Sequence, residues 1–268
     1  MRIKLTFKAD KLPILYRHRF MALIKEALGR VNANYKASLY PDKSSEHSKI
    51  AKPFCFSVSM PFGWTTKKEK IIIDNGVEIE DDVFYFPPKS NIAFCISSSE
   101  YQFMLCLYNG LLETKEFRFS DDVLLKLDRV FMLNEKKIIG DEVVFKTNAP
   151  ILIEDKDGKP LLPIACCLSP VASFNEHFNA VNDRILKDIR GEGLYREMEF
   201  IPVKLKKQVV KHTLKGFREK TGKPYMTLTC FEGCYKLKGD PRDLQMLYQI
   251  GIGLRTGQGF GMVDVVHS

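Results

Sequence analysis

The sequence predicts an α+β protein made of two β-α-β-β-α-β units in tandem. Three observations predict it. Short strand-type runs recur through both halves of the 268 residues. Each half carries two segments with apolar residues at helical spacing. The order of these elements in the first half is met again in the second.

The first half opens with Arg2 to Lys8, where Ile3, Leu5 and Phe7 fall on one face of a predicted strand. Phe20, Leu23, Ile24, Ala27, Leu28 and Val31 follow at i, i+3, i+4, i+7, i+8 and i+11, the pattern of an amphipathic helix. Phe54–Met60, Lys70–Ile73, Val83–Phe86 and Asn91–Ile96 read as strands. Ser97 and Glu100 have capping-box spacing and open a second predicted helix, with Phe103, Cys106, Leu107 and Leu111 on its buried face. Extended segments from Glu116 to Leu133 close the half.

The second half repeats the series. Glu142–Lys146 and Ile151–Ile153 read as strands. Ser173 and Glu176 form another predicted capping box before Phe174, Phe178, Val181, Ile185 and Ile189. Glu197–Lys211 and Tyr225–Lys236 are the next strand pair. Asp240-Pro241 supplies an N-cap and a first-turn proline before Leu244, Leu247 and Tyr248. A last strand, Gly261–Val266, ends the series. This is the ferredoxin-like (RRM-like) pattern that RNA-recognition modules also use. The boundary is expected in Asn134–Gly140, where charge and glycine replace apolar periodicity. It divides the chain into an N-terminal domain, 1–137, and a C-terminal domain, 138–268.

Hydrophobic residues make up 45% and charged residues 28%, the balance of a soluble globular protein. The net charge of +8 favours a polyanionic partner, nucleic acid or an anionic surface. No run of 18 apolar residues exists, so no membrane partner is expected. Seven cysteines, an odd number, and no secretory signal predict reduced thiols and a cytoplasmic location. Cys230 and Cys234 have metal-like spacing but no second pair at finger spacing, so the cysteines read as core thiols.

Five glycines fall in the eleven positions from Gly251 to Gly261, with Arg255 among them. A dinucleotide fingerprint is excluded because Thr256 occupies its third glycine position and the loop leads into a strand. A P-loop is excluded because no Lys-Ser/Thr pair follows. Two readings stay open: a backbone cradle for a phosphate chain, or a turn between a helix and a strand.

A duplicated ferredoxin-like chain with this ending resembles the RAMP superfamily. Within it, the chain resembles the repeat-cleaving endoribonucleases of the sixth CRISPR-associated protein family. The resemblance rests on Met1–Leu5, Arg19–Ile24, His47–Ser57 and, most specifically, Gly251–Val266. It implies metal-independent cleavage of CRISPR repeat RNA, with no cofactor. The ribose 2′-hydroxyl attacks the adjacent phosphate and leaves a 2′,3′-cyclic phosphate and a 5′-hydroxyl. It implies precursor crRNA as ligand, other CRISPR-associated proteins of a surveillance complex as partners, and a homodimer as one assembly. The alternative is a non-catalytic RAMP subunit that holds crRNA.

Such chemistry needs proton transfer and a cation at the phosphorane. The resemblance assigns these roles to His47 and Lys52. Lys49, Lys25, His18 and Tyr40 are assisting candidates. Some members carry a tyrosine on the first helix, where this chain has Lys25. Arg255, Gly253, Gly257, Gly259, Gly261, Arg17, Arg19, Lys204 and Lys206 are the RNA-contact candidates, with His212 at the end of a basic strand. Lys204 and Lys206 either track phosphates or keep a sheet edge soluble. Phe260 either stacks on a base or anchors the loop. His177 and His267 read as packing or surface residues.

Overall fold

The computed structural model describes residues 1–41, 50–73, 76–163 and 171–267. The N-terminal half runs β1 (Arg2–Lys8), β2 (Lys11–Pro13), α1 (Arg17–Val31), α2 (Ala33–Leu39), β3 (Phe54–Ser59), β4 (Thr65–Ile73), β5 (Val77–Tyr85), β6 (Asn91–Ser98), α3 (Tyr101–Glu113), β7 (Glu116–Arg118) and β8 (Leu124–Leu133). The C-terminal half runs β9 (Glu142–Thr147), α4 (Val171–Arg190), β10 (Glu199–His212), α5 (Lys215–Thr221), β11 (Met226–Lys238), α6 (Pro241–Ile250) and β12 (Val263–His267).

The two main sheets share one topology. The first has strand order β3-β6-β1-β8-β7 and the second β10-β11-β9-β12. In each, the first strand of the repeat is central and the second is an edge. The expected fold class therefore holds. Alternation explains the first core: Ile3, Leu5 and Phe7 all turn inward to meet Phe20, Leu23, Ile24, Ala27 and Leu28 of α1. Phe54 stacks on Phe103 at 4.4 Å and Phe20 lies 4.8 Å from Phe94. Burying each such ring stabilises the fold by about 1.5–3 kcal/mol. Val31, expected on the buried face, is exposed at the end of α1. In the second core Phe145, Phe174, Phe178, Phe200, Phe231 and Tyr235 pack together.

Several expectations need correction. Glu100 is the N-cap of α3 and makes no side-chain cap. The hydroxyl that holds this turn belongs to Ser98, which accepts from the Glu100 N–H at 3.0 Å and donates to the Pro53 carbonyl at 2.6 Å. Ser173 is no cap, because α4 already begins at Val171. Ile151–Ile153 makes only a single bridge, Ile151 to Phe231. The Asp240 cap is as expected, its carboxylate accepting from the Arg242 N–H. Strands β4 and β5 form a hairpin that joins β2 in a separate three-stranded sheet.

Two polar clasps cross between the halves. Arg2 on β1 is buried, and its guanidinium donates to the Tyr248 and Val263 carbonyls at 2.7 and 2.6 Å. It also lies 3.7 Å over the Tyr248 ring. Asp81 on β5 is buried and accepts from the Lys211 ammonium at 2.6 and 2.8 Å. These contacts bring α6 and the glycine turn against β3.

Candidate active site

The glycine turn runs from Gly251 through a single 3-10 turn, Thr256–Gln258, to Met262. It lies across β3 of the N-terminal half. Gly259 has φ 88°, and a Cβ there would sit 2.7 Å from the Phe56 ring. Gly261 has φ 70°, and its Cβ would sit 2.2 Å from the Ile252 carbonyl oxygen. Only glycine fits either place. The picture of an open amide cradle is thereby corrected. Gly253, Gly259 and Gly261 are buried, and their N–H groups donate to Asn182, Thr256 and Pro150. Gly259 serves close approach between the halves, whereas Gly253 and Gly261 close on Leu152 and Ile252 of their own half. Gly257 stays at the surface, with Lys52 Cβ 3.2 Å from where its own Cβ would stand. Phe260 is buried with Leu152, Val210, Leu228 and Cys230, so it anchors the turn.

Beside Gly257, three of the expected residues come together. Lys52 arrives on the segment entering β3, Lys25 from α1, and Tyr40 from the end of α2. The two ammonium groups lie 4.5 Å (Lys25) and 5.4 Å (Lys52) from the centre of the Tyr40 ring. Burial, then the charge of Lys25, holds the Lys52 ammonium below its ordinary pKa, with Asp188 opposing. Asp188 also accepts the Ala51 N–H at 3.0 Å. The Tyr40 hydroxyl is buried with no hydrogen-bond partner among the described residues, and burial raises its pKa above the usual tyrosine range. Tyr35 donates to Glu100 at 2.7 Å nearby. His47 and Lys49 lie outside the described residues. Their segment is bracketed by Pro41, which follows Tyr40, and Ile50, which precedes Lys52 by two positions.

The other candidates divide by location. Arg17 joins the glycine turn: its Nε donates to the Gly259 carbonyl at 3.3 Å and its guanidinium lies 5.2 Å from the Phe260 ring. Arg255 has φ 62° and donates to Gln258 at 3.2 Å. His212 is buried with Nε2 3.1 Å from the same Gln258 oxygen. Burial, then the charges of Arg17 and Arg255, push its pKa down to about 3. It is a neutral packing residue, which corrects its reading as an RNA contact.

His18 and Arg19 line a different cavity, of about 670 Å³, with β4 and residues 118–123. Arg19 donates to the Arg118 carbonyl at 2.6 Å. Lys25, Tyr40 and Lys52 do not line that cavity. Lys204 and Lys206 are exposed on the edge strand β10, where Lys206 pairs with Glu232 at 2.8 Å. His177 Nδ1 is 2.8 Å from the Ser173 carbonyl, on the surface of α4. Cys230 is a core thiol whose pKa burial pushes up to about 12. Among the described residues, no three His, Cys, Asp or Glu side chains gather at metal-binding distance.

Sequence reasoning missed Arg2, Asp81 and Asp188. Arg2 alternates in phase with Lys4, Thr6 and Lys8, so the sequence carried no local signal of its burial. The other two depend on contacts between distant segments.

Residues 133–265 match the family model described as CRISPR associated protein Cas6, C-terminal. The C-terminal half of the chain is thus similar to the Cas6 C-terminal family. Solved structures match the chain along its whole length. One described as a RAMP protein binding different RNA substrates has a TM-score of 0.71 at 18% identity, covering 100% of both chains. A Cas6-related protein from Pyrococcus furiosus has a TM-score of 0.71 at 19% identity, covering 99% of this chain and 98% of that one. A CRISPR associated protein Cas6 has a TM-score of 0.65 at 22% identity, covering 100% and 99%. At these identities the likeness is one of fold. No curated protein sequence matches the chain. No helix among the described residues is long and apolar enough to cross a membrane.

Proposed function

We propose that this chain is a Cas6-type protein that binds CRISPR repeat RNA and cleaves the precursor transcript by 2′-hydroxyl attack. The observation that carries this reading is the convergence of Lys52, Lys25 and Tyr40 beside the glycine turn, at both ends of the segment that holds His47. In the reaction an O2′–P bond forms and the P–O5′ bond breaks. The 2′-hydroxyl gives up its proton, the 5′-oxygen gains one, and the products are a 2′,3′-cyclic phosphate and a 5′-hydroxyl. His47 takes the proton-transfer role. Lys52 offsets the charge on the phosphorane, and its desolvation strengthens that interaction. Tyr40 places its ring beside both amines, with Lys25 as the second cation. Arg17 and Arg255 extend positive charge along the turn toward the neighbouring phosphates.

Labelled repeat RNA in EDTA tests the proposal. The wild type cuts once per repeat and leaves a cyclic phosphate. His47→Ala and Lys52→Ala retain binding and lose cleavage, and a 2′-deoxy substitution at the cut site blocks it. Undiminished cleavage by both variants overturns the assignment. The rival reading, a crRNA-holding subunit without chemistry, draws on Lys25 occupying the position where some relatives carry tyrosine. It predicts a gel shift with no product at any wild-type concentration.

A further inference from the structure

The β3–β4 loop, Met60-Pro-Phe-Gly-Trp64, displays aromatic surface that nothing above uses. Phe62 is fully exposed and Trp64 is 46% exposed. Single exposed apolar residues are ordinary on protein surfaces. These two are adjacent in one turn and are held in place. Gly63 takes φ 82°, where a Cβ would stand 3.4 Å from Pro87, and Trp64 meets Phe84 edge to face at 5.1 Å and 83°. An edge-to-face contact occupies one ring face of a pair, so open faces remain beside the free ring of Phe62.

The surroundings select a ligand. Lys67 and Lys89 flank the loop, both exposed, with Lys67 4.9 Å from the Tyr85 ring. Asp82, on the same hairpin, is paired with Lys68 at 3.0 Å. A lysine rim on a chain of net charge +8 repels a second copy and attracts a polyanion. The loop also continues the candidate site. Lys52 stands before β3, Phe56 and Val58 of β3 join Arg17 and Gly259 in a small cleft of about 190 Å³, and the loop leaves the far end of the same strand. That strand is about 17 Å long, within the reach of a few nucleotides.

We propose that Phe62 and Trp64 form a stacking platform for unpaired RNA bases, engaging the strand that runs along β3 from Lys52. The proposal rests on the RNA-binding reading for its path, while the platform itself is tested separately. Planar bases have faces that match exposed aromatic rings without sequence preference, and neighbouring lysines take the phosphates.

Trp64 is the chain's one tryptophan, so its emission reports this loop alone. The probes are repeat RNA, an oligoadenylate of roughly ten nucleotides, and a blunt RNA duplex. Repeat RNA and oligoadenylate quench the emission saturably and the duplex does not. Phe62→Ala weakens oligoadenylate binding roughly tenfold, and Trp64→Phe retains most of it. Single-strand binding in a gel shift with unchanged emission, and with unchanged affinity in Phe62→Ala, overturns the platform. An emission shift that depends on protein concentration without RNA, and is lost in Phe62→Ala, assigns the loop to contact between copies and also overturns it. Quenching by oligoadenylate while repeat RNA fails to bind upholds the platform and overturns the repeat-RNA reading. Failure of every RNA to bind overturns both.

Discussion

Lys52 and Lys206 both belong to the edge-strand segment of their half. One stands directly before β3 and the other within β10, and both strands are the second of their repeat and the edge of their sheet. Their environments are opposite. Lys52 is half-buried beside Lys25, and burial pulls its pKa down. Lys206 is exposed, and its hydrogen bond with Glu232 raises its pKa. One topology thus supplies two kinds of amine. The desolvated amine suits charge developing at one atom, and the solvated amine suits weak contact with a passing backbone. What differs is the cover: α1, the end of α2 and the glycine turn crowd the first, while nothing among the described residues lies over the second.

The largest effect that tests this contrast is on cleavage. Lys52→Ala lowers the single-turnover cleavage rate of repeat RNA about 10²- to 10³-fold. Lys206→Ala leaves that rate within about twofold and weakens binding slightly more at low salt than at high. Equal effects in the two variants would erase the distinction.

The cover itself is tested next. Gly261→Ala places a Cβ 2.2 Å from the Ile252 carbonyl at φ 70°, and destabilises the fold by about 3 kcal/mol in urea unfolding. A loss of less than ~1 kcal/mol would show that the turn yields easily.

The Asp81–Lys211 clasp gives a smaller, pH-dependent effect. Burial raises the Asp81 pKa, but the hydrogen bond from Lys211 and further contacts outweigh it, so the carboxyl lies below its ordinary value of 3.8. The stability it contributes is complete above that ordinary value and is lost as pH falls through the lowered one. Thermal melts from neutral to acid pH show this loss in the wild type and a shallower one in Lys211→Met.

The smallest effect sharpens the Lys52 environment. Since Lys25 depresses the Lys52 pKa, Lys25→Gln moves any limb of the pH–rate profile that depends on Lys52 protonation to higher pH. A limb that stays in place shows that burial alone sets the ammonium.

Much of the fold was legible because alternation and helical spacing are local. Ile3, Leu5 and Phe7, and Leu244, Leu247 and Tyr248, announce their buried faces in a few residues. The separate β2-β5-β4 sheet was not legible, because pairing partners carry no local mark. The capping boxes failed at Ser97 and Ser173 because a sequence spacing cannot say where the first helical residue falls. Lys52, Lys25 and Tyr40 were each named from sequence, but their common ring contact depends on the path from α1 through α2 to β3. The glycines stayed open between a phosphate cradle and a turn because the motif states only that side chains are absent. It does not say which neighbour fills the space, and here Phe56 and Ile252 do.

Arg2 ties the second residue of the chain to the carbonyl of residue 263. Until β12 has been synthesised and has docked, that guanidinium has no such acceptor. Strand β1 finds its neighbours β6 and β8 within its own half, but the carbonyl acceptors of its buried guanidinium come only from the other.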